Sequence, residues 1–153
     1  MEYGSKHEYV YFRLDALGLL NHSSSPAVQE LDWYDDIAKI RRFYAHWTSD
    51  LIDPAENDDT VGNPLAIILH DEIISFAIPF SFHEGELEIG AVATIPAYQN
   101  KGYCKALISE LAYRILKKGM IATLTTRKEN VPMRAAALSI GMQQIEKLAD
   151  LKI

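Results

Sequence analysis

A polar loop between a strand-like segment and a helix carries the residues with the clearest chemical potential. It reads Gln99, Asn100, Lys101 and Gly102, and Lys105 follows one helical turn after Lys101. The first turn of a helix has unpaired backbone N–H groups, and the helix dipole adds about half a positive charge there. Glycine also lets a ligand approach the backbone closely. These features favour a pyrophosphate site, although a plain strand-to-helix turn would use the same glycine for its conformation.

The elements that must position this loop are predicted by periodicity. Residues 87–94 alternate as a strand does, and they follow a predicted hairpin formed by residues 65–70 and 73–82 around an Asp-Glu turn. The helix after the loop ends at Gly119 and has an apolar stripe at Cys104, Leu107, Ile108, Leu111 and Ile115. The loop is therefore expected between a buried strand and an amphipathic helix.

The remaining segments predict a single α/β domain over residues 1–153. We expect a loop or short irregular helix over 16–32, and the other predicted elements are a strand over 8–14, a helix from Asp35 to Trp47, a strand over 120–126, a helix from Asn130 to Gly141 and a last strand within 142–153. This order predicts a mixed, mostly antiparallel sheet flanked by helices.

Composition limits the classes of partner. The net charge of -6 and the pI of about 5.3 argue against nucleic acid as the main ligand. Cys104 is the only cysteine, which fits a reducing cytoplasm, and no run of about 18 apolar residues predicts a membrane span. The five histidines are scattered without metal-binding spacing, so no metal site is expected.

Two segments resemble the signatures of the GCN5-related N-acetyltransferase (GNAT) family. The run from Gln99 to Cys104 is similar to the family motif Q/R-x-x-G-x-G/A, and Thr94-Ile95-Pro96 precedes it as the family's strand end does. A second helix that opens at Asn130 and closes at Gly141-Met142 resembles the other signature. The resemblance is strongest over residues 65–145 and implies a GNAT-like fold.

The resemblance implies acetyl-coenzyme A as the donor, without a metal, and a primary amine of a small molecule or peptide as the acceptor. It implies that loop amides hold the pyrophosphate, that pantetheine pairs with Val92 and Thr94, and that the Val92 amide lies near the thioester carbonyl. The implied coenzyme-binding residues are Val92, Ala93, Thr94, Gln99, Asn100, Lys101, Gly102, Tyr103, Cys104, Lys105 and Asn130.

Glu88 is the candidate general base. Some relatives that acetylate lysine side chains use a glutamate on this strand, eleven positions before the motif's Gln or Arg, and Glu88 stands eleven positions before Gln99. Strand alternation predicts that Glu88, Gly90, Val92 and Thr94 share one face. A solvent-facing or ion-paired glutamate is the other interpretation, and His83 is a second candidate base.

Two residues depart from the family pattern. Cys104 replaces the second small residue of the motif, either as a buried apolar side chain or as an acetyl relay. Ala137 stands where many relatives carry a tyrosine that protonates the departing thiolate. Ala137 makes a non-catalytic coenzyme A-binding or sensing module an alternative to an enzyme. A third interpretation is an interaction domain whose loop binds no nucleotide. The assembly state is open between monomer and homodimer.

Overall fold

The computed structural model describes residues 8–23, 27–46 and 60–146. Within these ranges the strands are β1 (Tyr9–Leu14), β2 (Val28–Glu30), β3 (Leu65–Leu69), β4 (Glu72–Phe80), β5 (Glu86–Thr94), β6 (Ile121–Arg127) and β7 (Gln143–Ile145). The helices are α1 (Ile37–Tyr44), α2 (Tyr103–Lys117) and α3 (Val131–Ser139).

All these strands belong to one sheet with the order β2-β3-β4-β5-β6-β1-β7. Neighbouring strands are antiparallel except β5 and β6, which are parallel because α2 carries the chain back across the sheet between them. The predicted mixed, mostly antiparallel α/β fold is thus confirmed.

Two details differ from the prediction. The short edge strand β2 was missed, since three residues are too few for a periodic signal. The hairpin turn is His70-Asp71, both with positive φ (52° and 65°), and Glu72 already belongs to β4. Trp47 of the predicted first helix and residues 147–153 of the predicted last strand lie outside the described residues.

Each face of the sheet has its own apolar core. One core lies under α2 and α3, and Leu107, Ile108 and Ile115 contribute to it from α2 as the stripe predicted. The other core lies under α1 and includes Ile40 and Phe43. Because both faces of the central strands are buried, a functional site is expected where the pairing between neighbouring strands stops.

The segment after β1 is tied to the end of α3. The Asn21 backbone N–H donates to the Ile140 carbonyl at 2.8 Å, and its side-chain amide donates to the Ser139 carbonyl at 3.0 Å. Gly141 has a φ of 104°, and a Cβ there would collide with the Leu19 carbonyl oxygen. The close backbone approach therefore requires glycine at this position.

We expect Gly141→Ala to lower the free energy of unfolding by about 2–5 kcal/mol, combining left-handed strain with overpacking. Urea denaturation measures this loss. Gly85→Ala is the matched control, because Gly85 has a φ of 80° with no neighbour within 4 Å of a built Cβ. It should lose only about 1–2 kcal/mol, and equal losses in the two variants would contradict the proposed collision.

Candidate active site

Strands β5 and β6 separate before either of them ends. Their pairing covers Glu86–Ile89 against Ile121–Leu124, whereas β5 continues to Thr94 and β6 to Arg127. On its other side, β5 stays paired with β4 as far as Thr94. Beyond Ile89 the edge of β5 that faces β6 therefore has no ladder within the described chain, and an extended amide-bearing ligand could pair with it.

A β-bulge lies in β5 at the point of separation. Phe76 pairs with Ala93, but Ile78, two residues further along β4, pairs with Gly90. One extra residue of β5 is accommodated there, and Ala91 adopts a φ of 51°. A bulge of this kind exchanges the faces to which the following side chains point.

The exchange of faces overturns one prediction. A Cβ on Gly90 would lie 2.9 Å from ring carbons of Phe80, which belongs to the core on the α1 side. Val92 instead packs with the core under α2 and α3. The prediction that Glu88 and Gly90 share a face with Val92 and Thr94 is wrong, because strict alternation does not anticipate an inserted residue.

The loop after β5 leads directly into α2 with exposed backbone donors. Asn100 and Gly102 both have positive φ, 63° and 86°, and Gly102 is the N-cap residue of α2. The α2 N-terminus has no side-chain cap, so its first amides stay available. The Gln99 side-chain amide donates to the Thr94 carbonyl at 3.0 Å and ties the loop to the strand end.

A cavity of about 660 Å³ lies between the end of β5, this loop and α3. Its lining includes the predicted residues Val92, Ala93, Thr94, Gln99, Asn100, Gly102, Tyr103, Cys104, Lys105 and Asn130. Lys101 is exposed and does not line it. The lining residues that sequence reasoning missed are Tyr98, Pro132, Met133, Ala135, Ala136 and Ser139. The i, i+3 spacing of Met133, Ala136 and Ser139 was the available signal for the face of α3 toward the cavity.

Asn130 joins α3 to the sheet at the rim of the cavity. Its side-chain oxygen accepts the Met133 backbone N–H at 3.3 Å and caps the helix. Its side-chain amide donates to the Thr126 hydroxyl at 3.2 Å. The residue thus fixes where α3 begins relative to β6.

Ala137 does not face the cavity. Its exposure is 0%, and it packs in the core under α2 and α3. The neighbouring Ala136 lines the cavity instead. In this chain, position 137 has no room beside the cavity for a tyrosine of the kind that relatives carry.

Cys104 lines the cavity from the first turn of α2 and also packs against the core. Burial raises the pKa of its thiol to about 11. A thiol with this pKa is almost entirely protonated at neutral pH and is a poor nucleophile. This environment favours the apolar role of Cys104 over an acetyl relay.

Glu88 lies on the opposite face of the sheet from the cavity, half-buried and next to the strand separation. Its strand partners are Phe80 on β4 and Thr123 on β6. His83 is exposed in the turn before β5. Across the described ranges, His, Cys, Asp and Glu form no cluster that could hold a metal.

A second cavity, of about 560 Å³, lies near the C-terminal end of α2. Leu87, Tyr113, Arg114 and Lys117 are among its lining residues. None of its lining residues comes from the 94–105 segment, so it has no contact with the loop that offers backbone donors. The cavity at the strand separation is therefore the better candidate for the active site.

Structures of known proteins share this fold. A GNAT-family protein from Novosphingobium aromaticivorans DSM 12444 aligns with a TM-score of 0.72 and 14% identity over 91% of this chain and 61% of that chain. A GNAT-family acetyltransferase from Colwellia psychrerythraea aligns with a TM-score of 0.71 and 10% identity over 90% of this chain and 53% of its own. This chain thus spans about half to three fifths of those two proteins.

A third structure has a more similar length. The ribosomal-protein-S18-alanine N-acetyltransferase from Escherichia coli aligns with a TM-score of 0.64 and 18% identity over 78% of each chain. At these identities the likeness establishes the fold alone. Among curated protein sequences, no significant match is found.

The family assignment rests on the sequence as well as on the fold. The profile of the Acetyltransferase (GNAT) family matches residues 26–142, which is most of the chain and includes β5, the loop, α2 and α3. The strand separation, the β5 bulge and the loop before α2 all lie within the match. The chain belongs to the GNAT acetyltransferase family.

Proposed function

We propose that this protein transfers the acetyl group of acetyl-coenzyme A to a primary amine of a small molecule or peptide. The observation that carries the proposal is the open edge of β5, which leads to the uncapped N-terminus of α2. A ligand that is extended and amide-bearing at one end and anionic at the other matches this arrangement. Acetyl-coenzyme A has that form and supplies an activated thioester.

Backbone groups would do most of the donor binding. The amides of the loop and the first helical turn, from Asn100 to Lys105, would donate to the pyrophosphate, and the Lys105 side chain at the cavity would add positive charge. A Cβ on Gly102 would have no atom of the protein within 4 Å, so this side of the loop is open to the ligand. Main-chain groups of Val92 and Thr94 would pair with the pantetheine amides.

The acetyl donor and the acceptor amine would bind on opposite faces of the sheet. Val92 lies on the cavity side and Glu88 on the other side, so donor and amine would meet through the gap between β5 and β6. We propose that Glu88 takes the proton from the attacking ammonium group, directly or through water. Because Ala137 carries no acidic group, another group at the cavity or solvent there would protonate the leaving thiolate.

A non-catalytic coenzyme A-binding or sensing module is the second candidate function. The buried Ala137 favours it, because that position offers no acid to the leaving group. A free-thiol assay with acetyl-coenzyme A and a panel of amines separates the two functions. Coenzyme A release that requires an amine supports the enzyme, whereas tight binding without release supports the sensor.

The proposed setting is the cytoplasm, with an amine substrate and without nucleic acid or membrane as a partner. Low cysteine content and the acidic net charge of -6 support this setting. Among the described residues, the helices are too short or too polar to cross a bilayer. Sedimentation would decide between a monomer and a homodimer.

We expect acetyl-coenzyme A to stabilise the protein against heat. At about 100 times the dissociation constant, linkage adds about 2.7 kcal/mol to the free energy of unfolding. For a chain of this size that corresponds to a rise in Tm of about 5–10 °C. Adenosine, which lacks the pyrophosphate, is the control ligand and should have a much smaller effect. An unchanged Tm in millimolar acetyl-coenzyme A would refute nucleotide binding at the loop.

A further inference from the structure

Two aromatic rings stack at the end of β4, on the face of the sheet opposite the cavity. The rings of Phe80 and Phe82 have centroids 5.3 Å apart and an interplanar angle of 8°. Phe82 is 55% exposed, whereas Phe12, Phe43 and Phe76 are almost fully buried. Phe82 therefore presents its ring to solvent, and the Phe80 ring packs against it.

This aromatic pair borders the proposed site of proton transfer. Phe80 is the direct cross-strand partner of Glu88, so the Cβ atoms of the two residues are about 5 Å apart. The Phe80 ring also lies against Gly90, since a Cβ there would be 2.9 Å from two ring carbons. Gly90 is the first residue of β5 after its pairing with β6 stops. Phe80 thus borders the gap through which the amine would approach, and Phe82 extends this aromatic wall from Phe80 toward the turn before β5.

We propose that the acceptor is a primary amine with an aromatic or other flat apolar group, which packs on the Phe82 ring while the amine reaches Glu88. This inference rests on the proposed acetyl transfer. An open aromatic face favours stacked and edge-on contacts with another ring. The same face attracts an ammonium group as it passes toward the carboxylate.

Position distinguishes this pair from exposed aliphatic side chains on the other face of the sheet. Leu17 and Leu138 are exposed aliphatic residues that lie away from Glu88 on elements of the opposite face, and scattered residues of this kind are normal on a protein surface. Phe82 is part of a stacked pair that continues to the strand separation. A second copy of the chain is the competing occupant of this wall.

The test compares 2-phenylethylamine with n-butylamine as acceptors for the wild-type protein, Phe82→Ala and Leu17→Ala. The wild type should prefer 2-phenylethylamine by at least about tenfold in kcat/KM, and Phe82→Ala should lower this preference about tenfold, mainly through KM. Leu17→Ala, which removes an apolar side chain of 42% exposure on the other face, should keep the preference. Direct titration of 2-phenylethylamine into the complex with coenzyme A should show the same loss of affinity in Phe82→Ala.

The outcomes separate this inference from the proposed function. Equal use of both amines by the wild type, or an unchanged preference in Phe82→Ala, overturns the aromatic acceptor and leaves acetyl transfer standing. If Phe82→Ala dissociates a dimer without changing the preference, the wall is a self-interface and the inference fails. If acetyl-coenzyme A neither binds nor supports transfer to any amine, the proposed function and the inference both fail.

Discussion

Replacing Gly102 with valine is expected to weaken acetyl-coenzyme A binding by about 10–100-fold while the protein stays folded. Gly102 opens α2 with a φ of 86°, and the space beside its Cα is empty of protein atoms. A branched side chain would occupy the space that a pyrophosphate needs to reach the loop amides. Hydrogen bonds from backbone amides to a charged group contribute about 1.5–3 kcal/mol each, so losing one of them accounts for about this range.

A matched control separates this steric effect from backbone strain. Gly119 follows the C-terminal end of the same helix with a φ of 81° and no atom within 4 Å of a built Cβ. Gly119→Val should lower stability as much as Gly102→Val does but should bind acetyl-coenzyme A as the wild type does. Calorimetric titration of both variants measures the difference. Equal affinities in the two variants would show that the pyrophosphate lies elsewhere.

Glu88→Gln is expected to reduce turnover by at least about tenfold, with nearly unchanged affinity for acetyl-coenzyme A. A positioned base contributes about 10²–10⁴-fold, and an amide keeps the size of the side chain but cannot accept the proton. The loss should shrink as the pH rises toward the pKa of an alkyl amine, about 10.4 for a lysine side chain, because free amine then forms without help. Rates measured from pH 6.5 to 9.5 would show this convergence.

Glu86→Gln is the control for the change of charge. Glu86 lies two residues before Glu88 on the same strand and face, away from the strand separation. Its replacement should leave turnover within about twofold of the wild type. Full activity of Glu88→Gln at pH 7 would remove Glu88 as the base and make His83 or a water chain the next candidate.

The sequence allowed the order of the later elements and the loop to be predicted, because their signals are local. Alternation marked β5, the apolar stripe marked α2, and Asn130 marked the start of α3. The bulge at Ala91 was not predictable in this way, since it depends on how β5 aligns with β4. The face of Glu88 relative to Val92 was therefore assigned wrongly, although both residues were correctly placed on one strand.

The acceptor side was harder to predict for a related reason. The i, i+2 spacing of Phe80 and Phe82 places both rings on one face, but which rings of this face stay exposed depends on the elements that cover the sheet. The burial of Ala137 likewise follows from how α3 rotates about its axis against the core. Both features depend on distant partners that a single sequence does not identify.

The position of β1 in the sheet has a consequence for how the chain folds. β1 is the first strand in the described part of the chain, yet both of its neighbours, β6 and β7, come from the last quarter of the sequence. During synthesis, residues 9–14 must wait until residues 121–145 have left the ribosome before they can pair. Contacts this distant in sequence slow folding and leave apolar side chains such as Phe12 uncovered in the nascent chain. Among the described strands, β1 therefore completes its pairing late in folding.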